Sequence, residues 1–162
     1  MKKILSLFAI MAVLAMGFAS CEGQDSKDFK ITVSEVTETT ANVLVEPADT
    51  TATYYLTYYP TKSIATMGDD SLSLVIAAEV EFLRQLASAA YGTEFTTTEV
   101  LEIVLMKGKQ EKALKSMNPG TDYTVVVAKM DFQGVINGKI AKKNFTTKEI
   151  VYGQLTFTFE NT

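Results

Sequence analysis

The chain contains no histidine and no tryptophan, and it has a single cysteine and only three prolines among its 162 residues. Without histidine there is no imidazole base, so Ser-His-Asp and Cys-His catalytic arrangements and His-ligated metal sites are excluded. A single cysteine also excludes a disulfide framework. The length predicts one domain, and the hydrophobic fraction of 47% indicates a folded chain. The net charge of −4 argues against a nucleic-acid partner.

The N-terminus has the composition of a secretory signal peptide. Lys2 and Lys3 precede an apolar run over residues 4–16, and small residues follow up to Cys21. This run is shorter than the roughly 20 residues that a membrane-spanning helix needs. We therefore expect residues 1–20 to be a signal peptide that is removed. In the simplest interpretation, Cys21 is only a small residue near the cleavage site.

A second interpretation makes Cys21 a lipid attachment site. Ala19-Ser20-Cys21 resembles the lipobox of bacterial lipoproteins, in which the cysteine is acylated and becomes the new N-terminus. Phe18 stands where that pattern usually has leucine. The resemblance implies an outer-membrane lipoprotein, at the cell surface or the periplasmic face, with residues 21–28 as a polar tether. The acidic residues of this tether are similar to a surface-export signal of Bacteroidetes lipoproteins.

Alternating apolar and polar residues predict the strands of the folded part. Residues 29–36, 41–45 and 53–59 predict three strands, and residues 123–130 and 140–147 predict two more near the C-terminus. Gln-Gly and Asn-Gly pairs separate the last two runs and favour a hairpin loop between them. The β content therefore comes from both ends of the folded part.

The middle of the folded part, residues 61–110, has a helical period instead. Apolar residues recur there at three- and four-residue spacing over about five turns, with Asp69, Asp70 or Ser71 as the N-cap. Gly92 stands where a helix of this length would end. The pattern predicts one long amphipathic helix inserted among the strands.

A second, shorter helix is predicted to begin at Thr96. Thr96 and Glu99 have the spacing of a capping box, and the apolar pattern continues until Gly108. Isolated helices of this length are marginal in water, so both need an apolar surface to pack on. Whether the helices cap one end of the β layers or cover a sheet face stays open at this point.

A family resemblance rests on the segment 118–123, which reads Asn-Pro-Gly-Thr-Asp-Tyr before a Val-rich strand. With residues 31–45 and 145–147, it resembles a fibronectin type III domain spanning residues 29–148. The resemblance implies a mainly β fold with a helical insertion, namely a fibronectin type III-like (Ig-like) β-sandwich with two α-helices inserted after the third strand. It also implies that Tyr123 forms a tyrosine corner, with its hydroxyl bonded to the backbone a few residues upstream.

The C-terminal residues 149–162 predict an additional strand. Leu155, Phe157 and Phe159 alternate there with threonines. The strand could pair with an edge of its own domain, add to the sheet of a partner protein, or be the remnant of a second module. The sequence leaves these three alternatives open.

Four tyrosines crowd the third predicted strand. Tyr54 and Tyr58 share one face of a strand, and Tyr55 and Tyr59 share the other. One pair points away from the core unless the helices cover it. An exposed pair can stack on sugar rings, which makes these four tyrosines candidate ligand-binding residues. A covered pair would instead form a second small core with the helices.

The acidic residues do not predict a catalytic or metal site. Asp69 and Asp70 lack the spaced oxygen ligands that calcium needs and are expected to cap a helix. Glu79 and Glu81 are two residues apart on a helix and do not converge as an acid and base pair. Asp131 precedes Gln-Gly and is expected to form a turn. We therefore expect no enzymatic activity, no metal and no cofactor.

These observations predict a lipid-anchored binding module of the cell envelope. By resemblance to Bacteroidetes lipoproteins, its function would be surface glycan capture accessory to polysaccharide uptake. The alternative is a structural, adhesion or assembly lipoprotein that binds protein partners through an edge strand or the C-terminal strand. The lysines near the last strand and after the second helix have the spacing of ordinary solvated edge residues and do not suggest nucleic-acid binding.

Overall fold

The computed structural model describes residues 26–152. Within this range the chain is mainly β, as predicted, and forms two antiparallel sheets with a few helices. In chain order the elements are β1 (Phe29–Ser34), β2 (Ala41–Pro47), β3 (Thr53–Pro60), α1 (Thr61–Ile64), α2 (Asp69–Tyr91), α3 (Thr97–Val104), β4 (Met106–Lys107), β5 (Gln110–Leu114), β6 (Asp122–Lys129) and β7 (Ala141–Thr146).

The two sheets face each other as the layers of a β-sandwich. The smaller sheet has the order β1-β2-β5, and the larger has the order β4-β3-β6-β7. Pairing in the smaller sheet places Ile31 opposite Val45, and pairing in the larger places Tyr55 opposite Ala128. Alternate side chains of each strand therefore point into the space between the sheets.

The first core fills that space. In β2 the residues Ala41, Val43 and Val45 are buried and alternate with half-buried Asn42 and Leu44, so only one face of this sheet packs inward. The inward side chains meet residues of the larger sheet, which include Tyr54, Leu56, Val125, Val127 and Phe145. This is the pattern of an antiparallel sheet with one face in water.

The second core lies on the outer face of the larger sheet. β6 is buried from Tyr123 to Ala128 without alternation, because both of its faces are covered. Val126 and Ala128 point outward and pack against Leu72, Ile76 and Val80 of α2. The other buried members of this cluster are Tyr55, Ile64, Leu101, Met130 and Ile140.

The helices therefore cover a sheet face and do not cap an end of the sandwich. α2 is amphipathic, with its fully buried residues at four-residue spacing, and α3 packs against it. We call α1, α2, α3 and their connections, residues 61–105, the helical layer. None of the helices described here is long and apolar enough to cross a bilayer.

Helix ends differ in two places from the sequence-based expectation. The N-cap of α2 is Gly68, and Asp69 and Asp70 lie inside the first turn, where carboxylates favour the positive end of the helix dipole. The Thr96–Glu99 capping box is confirmed, but α3 ends at Val104 and not near Gly108. The reason is a tertiary contact. Met106 and Lys107, which the apolar pattern would include in the helix, form β4 and pair with the start of β3.

Candidate functional site

The first pair of candidate tyrosines, Tyr54 and Tyr58, faces the core between the sheets. Tyr54 is fully buried, and its ring meets Phe29 edge to face with centroids 5.3 Å apart. Its hydroxyl donates to the carbonyl of Gly108 at 2.9 Å, and burial raises its pKa to about 12. The half-buried Tyr58 packs against Tyr123 and donates its hydroxyl to the carbonyl of Lys115 at 2.6 Å.

The second pair, Tyr55 and Tyr59, lies beneath the helical layer around Glu79 of α2. The hydroxyl of Tyr59 donates to Glu79 Oε2 at 2.5 Å, and Thr57 donates to Oε1 at 3.1 Å. Burial, together with the nearby Glu79 carboxylate, raises the pKa of both tyrosines well above 10. The Glu79 carboxylate thus accepts hydrogen bonds from the hydroxyl groups of Thr57 and Tyr59, which lie on the same face of β3.

The four tyrosines of β3 therefore do not form an exposed face on which a sugar ring could stack. Tyr54 and Tyr55 are 0% and 4% exposed, and Tyr58 and Tyr59 are half-buried with hydroxyls bonded inside the protein. The sequence left open whether one tyrosine pair is exposed or covered by the helices. Tyr55 and Tyr59 are covered, because they pack in or against the second core. A sugar ring cannot reach Tyr55 and Tyr59 without displacing α2, and it cannot reach Tyr54 and Tyr58 without separating the two sheets.

Tyr123, the predicted tyrosine-corner residue, is the first buried residue of β6. Its hydroxyl accepts the backbone N–H of Asn118 at 2.9 Å, five residues upstream. Its ring stacks on Phe145, with centroids 5.9 Å apart. These contacts fasten the connection between β5 and β6 to the end of the sandwich.

Four carboxylates that were weighed in the sequence as catalytic or metal-binding groups have structural partners instead. Asp69 lies 3.4 Å from the Lys142 ammonium group, and Asp131 Oδ1 accepts the backbone N–H groups of Gln133 and Val135. Glu81 forms a bidentate pair with Arg84, whereas Glu79 bonds to β3. Over residues 26–152, no cluster of three or more acidic, histidine or cysteine side chains is arranged as metal ligands.

Exposed apolar side chains of α2 form a surface that sequence reasoning missed. Leu74, Phe82 and Leu86 are 73%, 62% and 54% exposed, and Ala78 between them is also exposed. The four residues follow one another at four-residue spacing, so their side chains form one continuous row, which we call the α2 ridge. The signal was present in the sequence, since a helix with one buried face does not need a second apolar row.

The end of the helical layer carries an aromatic pair, in which Tyr91 is exposed and Phe95 is half-buried. Tyr91, the last residue of α2, is 76% exposed, and its ring lies 5.6 Å from that of Phe95 at a tilt of 44°. Phe95 is held by its backbone, whose N–H donates to Ser88 and whose carbonyl accepts from Arg84. The pair is a second apolar surface of the same layer.

Two predicted features lie outside the described residues. These are the lipidation candidate Cys21 and the C-terminal strand with Leu155, Phe157 and Phe159. No protein-family model matches this chain, and no curated protein is significantly similar to it in sequence.

Proposed function

We propose that this protein is a lipid-anchored, non-catalytic binding module of the bacterial cell envelope. Cys21 would hold it at the outer membrane, on the cell surface or the periplasmic face, and residues 22–28 would tether the folded domain. The proposal rests on the position of the single cysteine at the end of a lipobox-like sequence. Two or three acyl chains, at about 0.8 kcal/mol per buried methylene, make such an anchor effectively permanent.

The folded domain of this module would be a fibronectin type III-like sandwich. The strand orders β1-β2-β5 and β4-β3-β6-β7 support this assignment. The bond between the hydroxyl of Tyr123 and the N–H of Asn118 supports a tyrosine corner. In this assignment the helical layer is an insertion between the third and fourth strands. The sandwich then serves as a rigid support for the surfaces of that layer.

The observation that carries the binding function is the α2 ridge. Large apolar side chains that stay exposed on a helix already packed through its other face are typical of an interaction surface. Because the β3 tyrosines are occupied by packing and by Glu79, recognition of a protein partner fits the geometry better than sugar stacking on β3. The module would then act in adhesion or assembly.

Glycan capture is the second candidate, and one observation favours it. The exposed ring of Tyr91 beside Phe95 offers an aromatic face at the tip of the helical layer, where a sugar could stack. Affinity electrophoresis of the unlipidated Cys21→Ser chain in gels containing polysaccharides tests this candidate. Retardation that Tyr91→Ala abolishes and Tyr152→Ala preserves would support it, whereas unaltered mobility in every gel would leave the protein-partner function.

Membrane fractionation tests the anchor. We expect the wild-type chain in the outer-membrane fraction, labelled by a fatty-acid probe, and Cys21→Ser in the soluble fraction without label. Ser26→Ala, a change in the tether, is the matched control and should fractionate like wild type. Digestion of intact cells by an added protease then distinguishes the cell surface from the periplasmic face. Equal membrane association of wild type and Cys21→Ser would contradict a lipid anchor.

The C-terminal strand prediction has its own test. If residues 150–162 add to a partner's sheet, their deletion should leave the domain monomeric and folded by circular dichroism. If they belong to the domain's own sheet, the same deletion should lower the melting temperature markedly.

A further inference from the structure

The α2 ridge is the exposed side of a helix whose other sides are occupied by the sheet and by the connection to α3. Leu72, Ile76 and Val80 face the sheet, and Arg84 bonds to the carbonyl of Phe95 on the side of the connection to α3. At 3.6 residues per turn, Phe82 and Leu86 each lie roughly 160° around the helix from Arg84. The end of the ridge with Phe82 and Leu86 therefore lies on the flank turned away from that connection, and the whole row from Leu74 to Leu86 is about 18 Å long.

The ridge lies on the most acidic part of the described chain. Residues 61–105 carry seven carboxylates against two basic side chains, whereas the remaining described residues carry nine carboxylates against eleven lysines. Asp70 begins the same row of side chains as the ridge, whereas Glu81, the residue before Phe82, is already paired with Arg84. The apolar row thus begins next to a carboxylate, on a layer whose net charge is −5.

We propose that the α2 ridge docks a cationic amphipathic helix of a partner protein. Apolar side chains of the partner would interlock with the four-residue row of the ridge, and lysines or arginines beside them would face Asp70 and the net negative charge of the helical layer. This inference rests on the proposed function of a binding module and names the partner chemistry of one of its surfaces.

Charge distinguishes this occupant from the others. A second copy of the chain would bring two acidic layers together, and an anionic lipid surface would repel the same layer. A polysaccharide would find few hydrogen-bonding groups on a row of leucine, alanine and phenylalanine. A cationic helix meets both the apolar row and the charge beside it.

The experiment uses the full chain in nanodiscs of neutral phosphatidylcholine. The probe is a fluorescent helical peptide with leucines at four-residue spacing and lysines beside them, and the reference peptide has the same composition in scrambled order. Binding is followed by fluorescence anisotropy against empty nanodiscs. We expect saturable binding of the patterned peptide alone, with an affinity that falls as salt is raised because the charge attraction is screened.

Variants locate the site. Phe82→Ser and Leu86→Ser remove exposed side chains of the ridge and should each weaken binding by about tenfold. Ile103→Ser on α3 is the matched control, because Ile103 is 71% exposed but is not part of the ridge, and it should bind like wild type. Equal thermal melting curves show that these variants remain folded.

Four results would overturn the inference: no saturable binding, equal binding of the scrambled peptide, equal loss in Ile103→Ser, or ridge-dependent self-association of the chain in sedimentation. None of these results touches the anchor at Cys21, which fractionation tests separately. Conversely, a ridge that binds the peptide on a chain without lipid or envelope location would refute the proposed function and leave the docking surface standing.

Discussion

At the scale of single residues, the four tyrosines of β3 are placed by alternation and held by their hydroxyl groups. A buried phenol that leaves water must find a hydrogen-bond partner, because an unsatisfied polar group costs about 1–3 kcal/mol. Tyr54 and Tyr58 find backbone carbonyls, and Tyr59 finds the carboxylate of Glu79. None of the buried side-chain nitrogen and oxygen atoms of residues 26–152 lacks a partner.

The raised tyrosine pKa values predict loss of stability at alkaline pH. Burial raises the pKa of Tyr54 from 10 to about 12, and burial near Glu79 raises that of Tyr55 and Tyr59. Since ionisation is easier in the unfolded chain, this stabilisation is complete below pH 10 and falls as the pH rises above it. Phenolate absorbance and circular dichroism measured together should change in one cooperative step for these tyrosines. Their ionisation near pH 10 in a chain that stays folded would contradict the burial.

Glu79 predicts a specific loss on substitution. Glu79→Ala leaves the hydroxyls of Thr57 and Tyr59 without their acceptor, so we expect unfolding to become easier by roughly 1–3 kcal/mol. Glu102→Ala, an exposed change on α3, is the control and should cost less than about 0.5 kcal/mol. Urea denaturation of both variants measures the difference. Equal midpoints would show that the carboxylate does not fasten α2 to the sheet.

At the scale of elements, helix ends follow local rules wherever no strand competes for the residues. The capping box of α3 forms as its spacing predicts, and the N–H of Gly92 closes α2 on the carbonyl of Ser88. The end of α3 does not follow the local pattern. The apolar period continues beyond Val104, but Met106 and Lys107 gain ladder bonds with Tyr54 and Thr53.

Serine at the two glycines that flank α2 should have opposite effects. Gly68 is the N-cap with φ −75° and open space around it, so Gly68→Ser gains a capping oxygen and should stabilise by about 0.5 kcal/mol. Gly92 has φ +65°, so Gly92→Ser should destabilise by about 1 kcal/mol through backbone strain despite equally open space. Thermal unfolding of the pair tests the argument, and shifts of the same sign would refute it.

At the scale of the whole molecule, the larger sheet is buried on both faces. The sandwich supplies the first core, and the helical layer supplies the second. β6 belongs to both cores, since Val125 and Val127 face the smaller sheet while Val126 and Ala128 face α2. The layer is therefore part of the folded unit, while the α2 ridge on its outer surface stays exposed.

Removal of the helical layer should expose the second core. Replacing residues 62–104 by a flexible linker of about ten residues can span the roughly 20 Å between Pro60 and the start of β4. The variant would expose Tyr55, Val126 and Ile140, so we expect it to bind a hydrophobic dye and to elute from a sizing column as oligomers. A monomer without dye binding would show that the sheet needs no cover.

Much of this architecture is readable from periodicity. Alternation in residues 41–45 and 53–59 predicts strands, and the three- and four-residue spacing after residue 69 predicts α2. The two-residue strand β4 carries no such signal, because a short edge strand is defined only by its neighbour. The sequence shows two apolar rows on α2, but local spacing does not reveal which row meets the sheet and which, with Phe82 and Leu86, is exposed.

The sequence by itself determined the local terms of this protein: the strand and helix periods, the capping box, the pairing of Tyr54 with Tyr58 and of Tyr55 with Tyr59 on opposite faces, and the place of its one cysteine. These depend on side-chain spacing along a regular backbone. Only the tertiary structure decided that the helices lie on a sheet face, that Glu79 accepts the hydroxyl of Tyr59, and that the α2 ridge stays in water. Those outcomes depend on contacts between residues far apart in the chain, which no local period encodes.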